Sequence, residues 1–188
     1  MRWNGRGELV CPAFAGQSLE SRLAAQRSVV RALVVAPNRQ SMPFPVDPSF
    51  IRAAEEKLGV RFPKSFAAAM ETMNGGEVEI GHDVWQLYPV LDRADRRRLA
   101  RTCNDVCYET NYLRQWPGSP PGAVAIAGSG GGDRLVMLPD PSDSHILGPG
   151  VFVWDHETGS LSQVAKDFAQ VKRLTPNRVI AQSGALPK

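Results

Sequence analysis

The stretch DPSFIRAAEEKLGVRFPKSFAAAMETMNGG, residues 47–76, decides the fold. Asp47 is a good N-cap, because its carboxylate accepts from the free backbone N–H groups of the first helical turn. Pro48 follows at the first helical position, where a missing N–H costs nothing. Phe50, Ile51, Ala54 and Leu58 then recur at helical spacing and make one apolar face. Gly59 ends that helix, since it takes the left-handed conformation without a Cβ penalty. Pro63 opens a second helix with Phe66, Ala69, Met70 and Met73 as its apolar positions, and Asn74-Gly75-Gly76 closes it. Two apolar stripes so close in sequence need a common surface to cover, and the β-rich chain that follows supplies one.

The acidic helix ending Leu58-Gly59-Val60, the Phe62-Pro63 start of the next and the Asn74-Gly75-Gly76 exit together resemble the opening of the Smi/Knr family of the SUKH superfamily. Residues 123–138 (AVAIAGSGGGDRLVML) resemble that family's central hairpin, with Gly131-Gly132-Asp133 in its turn. VFVWD at 151–155, followed by His156-Glu157, resembles the penultimate strand, and Asp167-Phe168 with Val171 and Leu174 the start of a closing helix. The resemblance covers residues 45–174 and rests on the order of several modest motifs. It implies a SUKH-like fold and one of two roles. Some members of the family resemble cytoplasmic antidotes that neutralise a secreted polymorphic toxin, often a nuclease; others resemble regulatory scaffolds, including yeast cell-wall regulators.

The residues after Gly76 read as strands. Val78 and Ile80 alternate with Glu77 and Glu79, and Val84 to Tyr88 places Trp85 and Leu87 on one face, with Pro89 ending that strand at a sheet edge. From Asp92 the period becomes helical, through Leu99, Cys103, Val106, Tyr108 and Leu113, until Pro117 and GSPPG end it. Strands at 123–127 and 134–138 flank a glycine turn, residues 139–150 read as a mobile loop, and 151–155 with 160–164 form a hairpin through His-Glu-Thr-Gly. Helices, then antiparallel strands, then a closing helix argue one α+β domain with helices packed on one face of an antiparallel sheet. We place that domain at residues 42–175 and a flexible tail at 176–188.

The charge is unevenly divided. Residues 1–41 carry six Arg and two Glu, whereas the remaining chain holds 16 basic and 17 acidic residues, so the domain is nearly neutral. That balance argues against a nucleic-acid-binding role. The Arg-rich leader reads as an upstream-start extension ahead of Met42, a disordered tail or a targeting segment, in that order of preference. Three cysteines are a sparse, odd set that fits a reducing cytosol better than a secreted disulfide framework. Cys103 and Cys107 lie one helical turn apart, yet no nearby Cys or His completes a zinc set. No apolar run is long enough to span a membrane.

Four groupings invite chemistry. The run Gly128-Ser129-Gly130-Gly131-Gly132-Asp133 lacks the Lys and the following helix of a phosphate loop, and Ala127 stands where a nucleophile elbow needs Gly. It reads as a hairpin turn. Asp155-His156-Glu157 suggests acid–base or metal chemistry, but neighbours on a strand end point to opposite faces, so a solvated rim is the better reading. Trp85 and Trp154 read first as core residues and, if exposed, as interface anchors. Arg93, Arg97 and Arg101 fall on one stripe of the expected helix, which reads as a solvated face with a protein partner as the alternative. No nucleophile, base and oxyanion site assemble, so we expect no catalytic residues, no cofactor and no metal. The sequence describes a cytoplasmic protein-binding domain, with Trp85, Asp133, Trp154, Asp155 and Arg97 as candidate contacts. The resemblance makes the expected partner a secreted toxin domain, the alternatives being a regulatory scaffold and, behind it, a small hydrolase using Ser129 or Asp133.

Overall fold

In the computed structural model, which describes residues 2–3, 9–10 and 43–174, the Asp47 carboxylate accepts from the Ser49 N–H at 2.8 Å and opens α1 (Pro48–Leu58). Ile51, Ala54 and Leu58 are buried. Gly59 stops the helix at φ 73°, its N–H donating to the Glu55 carbonyl at 2.8 Å, as a left-handed cap requires. The Glu55 carboxylate then accepts from Phe62 N–H at 2.8 Å, which steers the chain into α2 (Lys64–Thr72), where Phe66 and Met70 are buried. In the leader, β1 (Arg2–Trp3) pairs antiparallel with β2 (Leu9–Val10). The rest of the leader expected at 1–41 and the tail expected at 176–188 lie outside the described residues.

After Gly76 the chain runs through β3 (Gly76–Ile80), β4 (Asp83–Leu87), α3 (Arg96–Arg101), α4 (Val106–Leu113), β5 (Val124–Gly128) and β6 (Arg134–Met137). It continues through β7 (Pro139–Asp140), β8 (Asp143–Leu147), β9 (Val151–Trp154), β10 (Leu161–Ala165) and β11 (Lys172–Leu174). Seven of these strands make one antiparallel sheet in the order β10-β9-β6-β5-β4-β3-β11. The fold is a single α+β domain. Every position of β5 and β6 is buried, so these strands form the centre of the core. A bulge between Ala125 and Ala127 frees the Ala125 N–H, and Thr110 Oγ1 on α4 accepts it at 3.0 Å, tying helix to sheet. On the other flank, Phe66 meets Phe62 and Phe168 edge-on at 5.2 and 5.0 Å.

Asn74, from the glycine exit, is buried and stands in for a strand residue. Its Nδ2 donates to the Val90 carbonyl at 2.8 Å while its Oδ1 accepts from Val90 N–H at 2.7 Å.

Four expectations about the elements are corrected. The closing helix is a single 3-10 turn, Phe168–Gln170, and β11 then pairs with β3. Arg173 is the reason: its guanidinium donates to the Ala69 and Met73 carbonyls at 2.7 Å each and to the Gly75 carbonyl, satisfying the end of α2 and holding β11 at the sheet edge. The loop expected at 139–150 contains the β7–β8 ladder, anchored to the α1–α2 link by Arg61 N–H to His145 O at 2.7 Å and Leu147 N–H to Arg61 O at 2.9 Å. The helical stretch from Asp92 breaks in two because Asp95 and Asp105 each cap a new helix. Arg93 therefore precedes α3, and the three-arginine stripe does not form. Finally, β4 is an interior strand, so Pro89 follows it beside β5 rather than at an edge.

Candidate functional site

The β6–β9 register places Arg134 opposite Trp154, so the next residues outward, Asp133 and Asp155, emerge side by side at one end of the sheet. Two turns build a rim there. In the β5–β6 turn, Ser129 N–H donates to Asp133 O at 3.2 Å and Gly131 N–H to Ser129 Oγ at 3.1 Å. The Ser129 hydroxyl thus closes a hairpin, as the glycine run suggested. In the β9–β10 turn, Asp155 Oδ1 accepts from Glu157 N–H at 2.8 Å and Thr158 N–H at 2.9 Å. These bonds, that of Thr158 first, hold the Asp155 carboxyl below its ordinary pKa by favouring the charged form.

His156 joins the turns. Its backbone N–H donates to Asp133 Oδ1 at 3.2 Å, and its Nδ1 lies 2.8 Å from the same oxygen. The ring lies against Gly132, where a Cβ would come within 2.5 Å of Cε1, so only glycine fits beneath it. Trp116, half-buried just beyond α4, presents an edge to His156 at 5.5 Å and to Trp154 at 6.1 Å. Asp133, Asp155 and His156 thus offer ligand atoms all within 4.8 Å of one another. Glu157 is not among them, so residues 155–157 do not converge as a set; the third group is Asp133 from the other hairpin, which the sequence did not indicate.

Beneath the rim lies a buried polar network that the sequence did not disclose. Arg134, 3% exposed, donates to the Gly132 carbonyl at 2.9 Å and the Asp133 carbonyl at 3.3 Å, and its Nη2 lies 3.7 Å from Glu109 Oε2. Glu109 is 2% exposed, and burial, opposed by the Arg134 charge, pushes its carboxyl above the ordinary range. The Tyr88 hydroxyl packs over Gly128 and is raised well above its ordinary pKa, first by burial and then by the Glu109 charge. The network supports the glycine turn from below. Its sequence signal was faint: a lone Glu among apolar positions of a helix and an Arg opening a strand.

The family model of the SMI1 / KNR4 family (SUKH-1) matches residues 45–172, most of the chain. The chain belongs to the SMI1/KNR4 family. No curated protein and no solved structure matches it. The SMI1/KNR4 match spans both rim turns and the α1–α2 unit and ends at the first residue of β11. Of the five residues singled out from the sequence, Asp133 and Asp155 meet on the rim. Trp154 and Trp85 are 1% and 4% exposed, so both rings are core residues and neither is an anchor for a partner. Their burial agrees with the first reading of both as core residues, and Trp116 is the half-buried tryptophan beside the rim. Arg97 is exposed on α3, whose Arg98 reaches Asp92 at 2.9 Å, the Pro45 carbonyl at 3.1 Å and the Phe44 ring, none of them rim residues. Cys107 is buried, and burial, then the Asp105 charge, pushes its thiol up to about 12. Among the described residues no helix is long and apolar enough to cross a membrane.

Proposed function

We propose that this SMI1/KNR4 protein is a non-catalytic, cytoplasmic binding domain that neutralises a secreted toxin by covering its active cleft with the Asp133–Asp155 rim. The observation that supports this reading most is the charge of the rim. Asp133, Asp155 and Glu157 stand on two adjacent turns, while the one arginine there, Arg134, is buried beneath them. Such a surface complements the basic cleft of a nuclease, and charges of one sign on a rigid edge speed encounter with the opposite sign. Trp116 supplies an aromatic platform beside those charges. Family membership is consistent with an immunity role and with a regulatory one.

Affinity purification of the tagged full chain from its own cells, with partners identified by mass spectrometry, tests the reading. A stoichiometric toxin domain is the expected partner. Its affinity should fall at least about tenfold in the Asp133→Lys, Asp155→Lys double variant, in line with the cost of like charges facing each other across an interface. Undiminished binding by that variant would exclude the rim, and recovery of housekeeping enzymes in place of a toxin would make the protein a regulatory scaffold.

A further inference from the structure

We propose that Asp133, Asp155 and His156 form a binding site for a divalent transition metal of the zinc or cobalt class. The inference does not depend on the identity of the protein partner. Three donors from two hairpins lie within 4.8 Å of one another. Asp133 Oδ1 and His156 Nδ1 are 2.8 Å apart, and two ligands each about 2.0–2.2 Å from one tetrahedral metal sit roughly 3.4 Å from each other. An opening of the pair by about half an ångström therefore admits a shared ion. On binding, the Nδ1 lone pair turns to the metal and the imidazole proton is carried at Nε2.

The donors are held in place before any ion arrives. Asp155 Oδ1 is fixed by two backbone N–H groups, which leaves Oδ2 as the donor. The His156 ring is seated on Gly132 and faced by the edge of Trp116, so its direction is set by packing. Charge favours a cation as well. Among the described residues no Lys or Arg pairs with Asp133 or Asp155, and the one imidazole beside them pairs with Asp133. One nitrogen and two oxygens suit zinc, cobalt or manganese, whereas calcium takes oxygen ligands alone and thiolate-seeking ions find no sulfur in this cluster. Three protein donors leave positions for water, or for a side chain of whatever docks on the rim.

The test uses the full chain without a histidine tag, titrated with Co2+ and followed by absorption, and with Zn2+ followed by thermal unfolding. We expect a visible d–d band saturating near one equivalent without a thiolate-to-cobalt band, and a rise of Tm with Zn2+. In Asp155→Asn, which keeps the Oδ1 acceptor of the turn, and in His156→Gln, affinity should fall at least about tenfold. His145→Ala, remote from the rim, should bind as the wild type does. Absence of a d–d band or of a Tm rise would overturn the proposal, as would a thiolate band or wild-type affinity in both rim variants. Two rim variants are used so that loss of fold in one leaves the other to decide.

Discussion

Replacing Asn74 with alanine removes both arms of a side chain that pairs with a backbone as a strand would. The Val90 carbonyl loses its donor at 2.8 Å and the Val90 N–H its acceptor at 2.7 Å. Val90 is fully buried and Asn74 nearly so, so water does not replace either partner at once. Each buried group left unsatisfied costs about 1–3 kcal/mol, which places the pair at roughly 4 kcal/mol. For a domain of this size that loss lowers Tm by about 10 °C, at roughly 2–4 °C per kcal/mol. Urea unfolding followed by tryptophan fluorescence reads the stability, and hydrogen exchange at the Val90 amide reads the bond itself. Asn74→Asp separates the arms: it keeps an acceptor for Val90 N–H but turns a carboxylate oxygen toward the Val90 carbonyl. It should be as unstable as the alanine variant at neutral pH and recover in acid, where a protonated carboxyl donates again. A loss below about 1 kcal/mol in Asn74→Ala, with an unchanged m-value, would refute the assignment of two unsatisfied groups.

Three other outcomes follow from the rim and the core. Gly132→Ala drives a Cβ into the His156 ring at a φ of 125°, so it should destabilise the protein by about 1–3 kcal/mol and shift the His156 ring resonances; wild-type stability and spectra would show that the ring is not seated there. The Glu109 carboxyl is raised by burial, so the folded state holds its proton more tightly than the unfolded chain. Its contribution to stability is complete below the unfolded value of about 4.3 and is lost as pH rises through the higher folded value. Urea midpoints measured across that window should fall more steeply in the wild type than in Glu109→Gln, and parallel curves would contradict a raised carboxyl. With its thiol pushed up to about 12, Cys107 in a Cys11→Ser, Cys103→Ser background should resist disulfide reagents at pH 8 until the protein unfolds; rapid labelling of the native state would show an accessible thiolate.

What could be read without coordinates depended on interactions that close within a few residues. Asp47 reaches Ser49, Gly59 turns at its own φ, and Trp85 and Leu87 alternate with exposed neighbours, so each has a local pattern. The glycine turn was legible for the same reason: a strand follows it, and its hydroxyl closes on a neighbour two residues away. The burial of the tryptophans followed from their place in apolar runs, and Trp116 was missed because it stands outside any period.

Tertiary structure alone decided where the long-range partners fall. Asp133 meets His156 only because the β6–β9 register sets two hairpin ends side by side, and no spacing along the chain records that register. Arg173 belongs to a strand because three carbonyls at the end of α2 need a donor, although its own segment has the apolar residues of a helix start. Asn74 finds Val90, and Arg134 lies against Glu109, by the same route. Local conformation is governed by steric and hydrogen-bond terms inside a few residues, and the sequence displays these directly. A buried polar group takes whichever partner the packed sheet delivers, because leaving it unpaired costs more than departing from local preference.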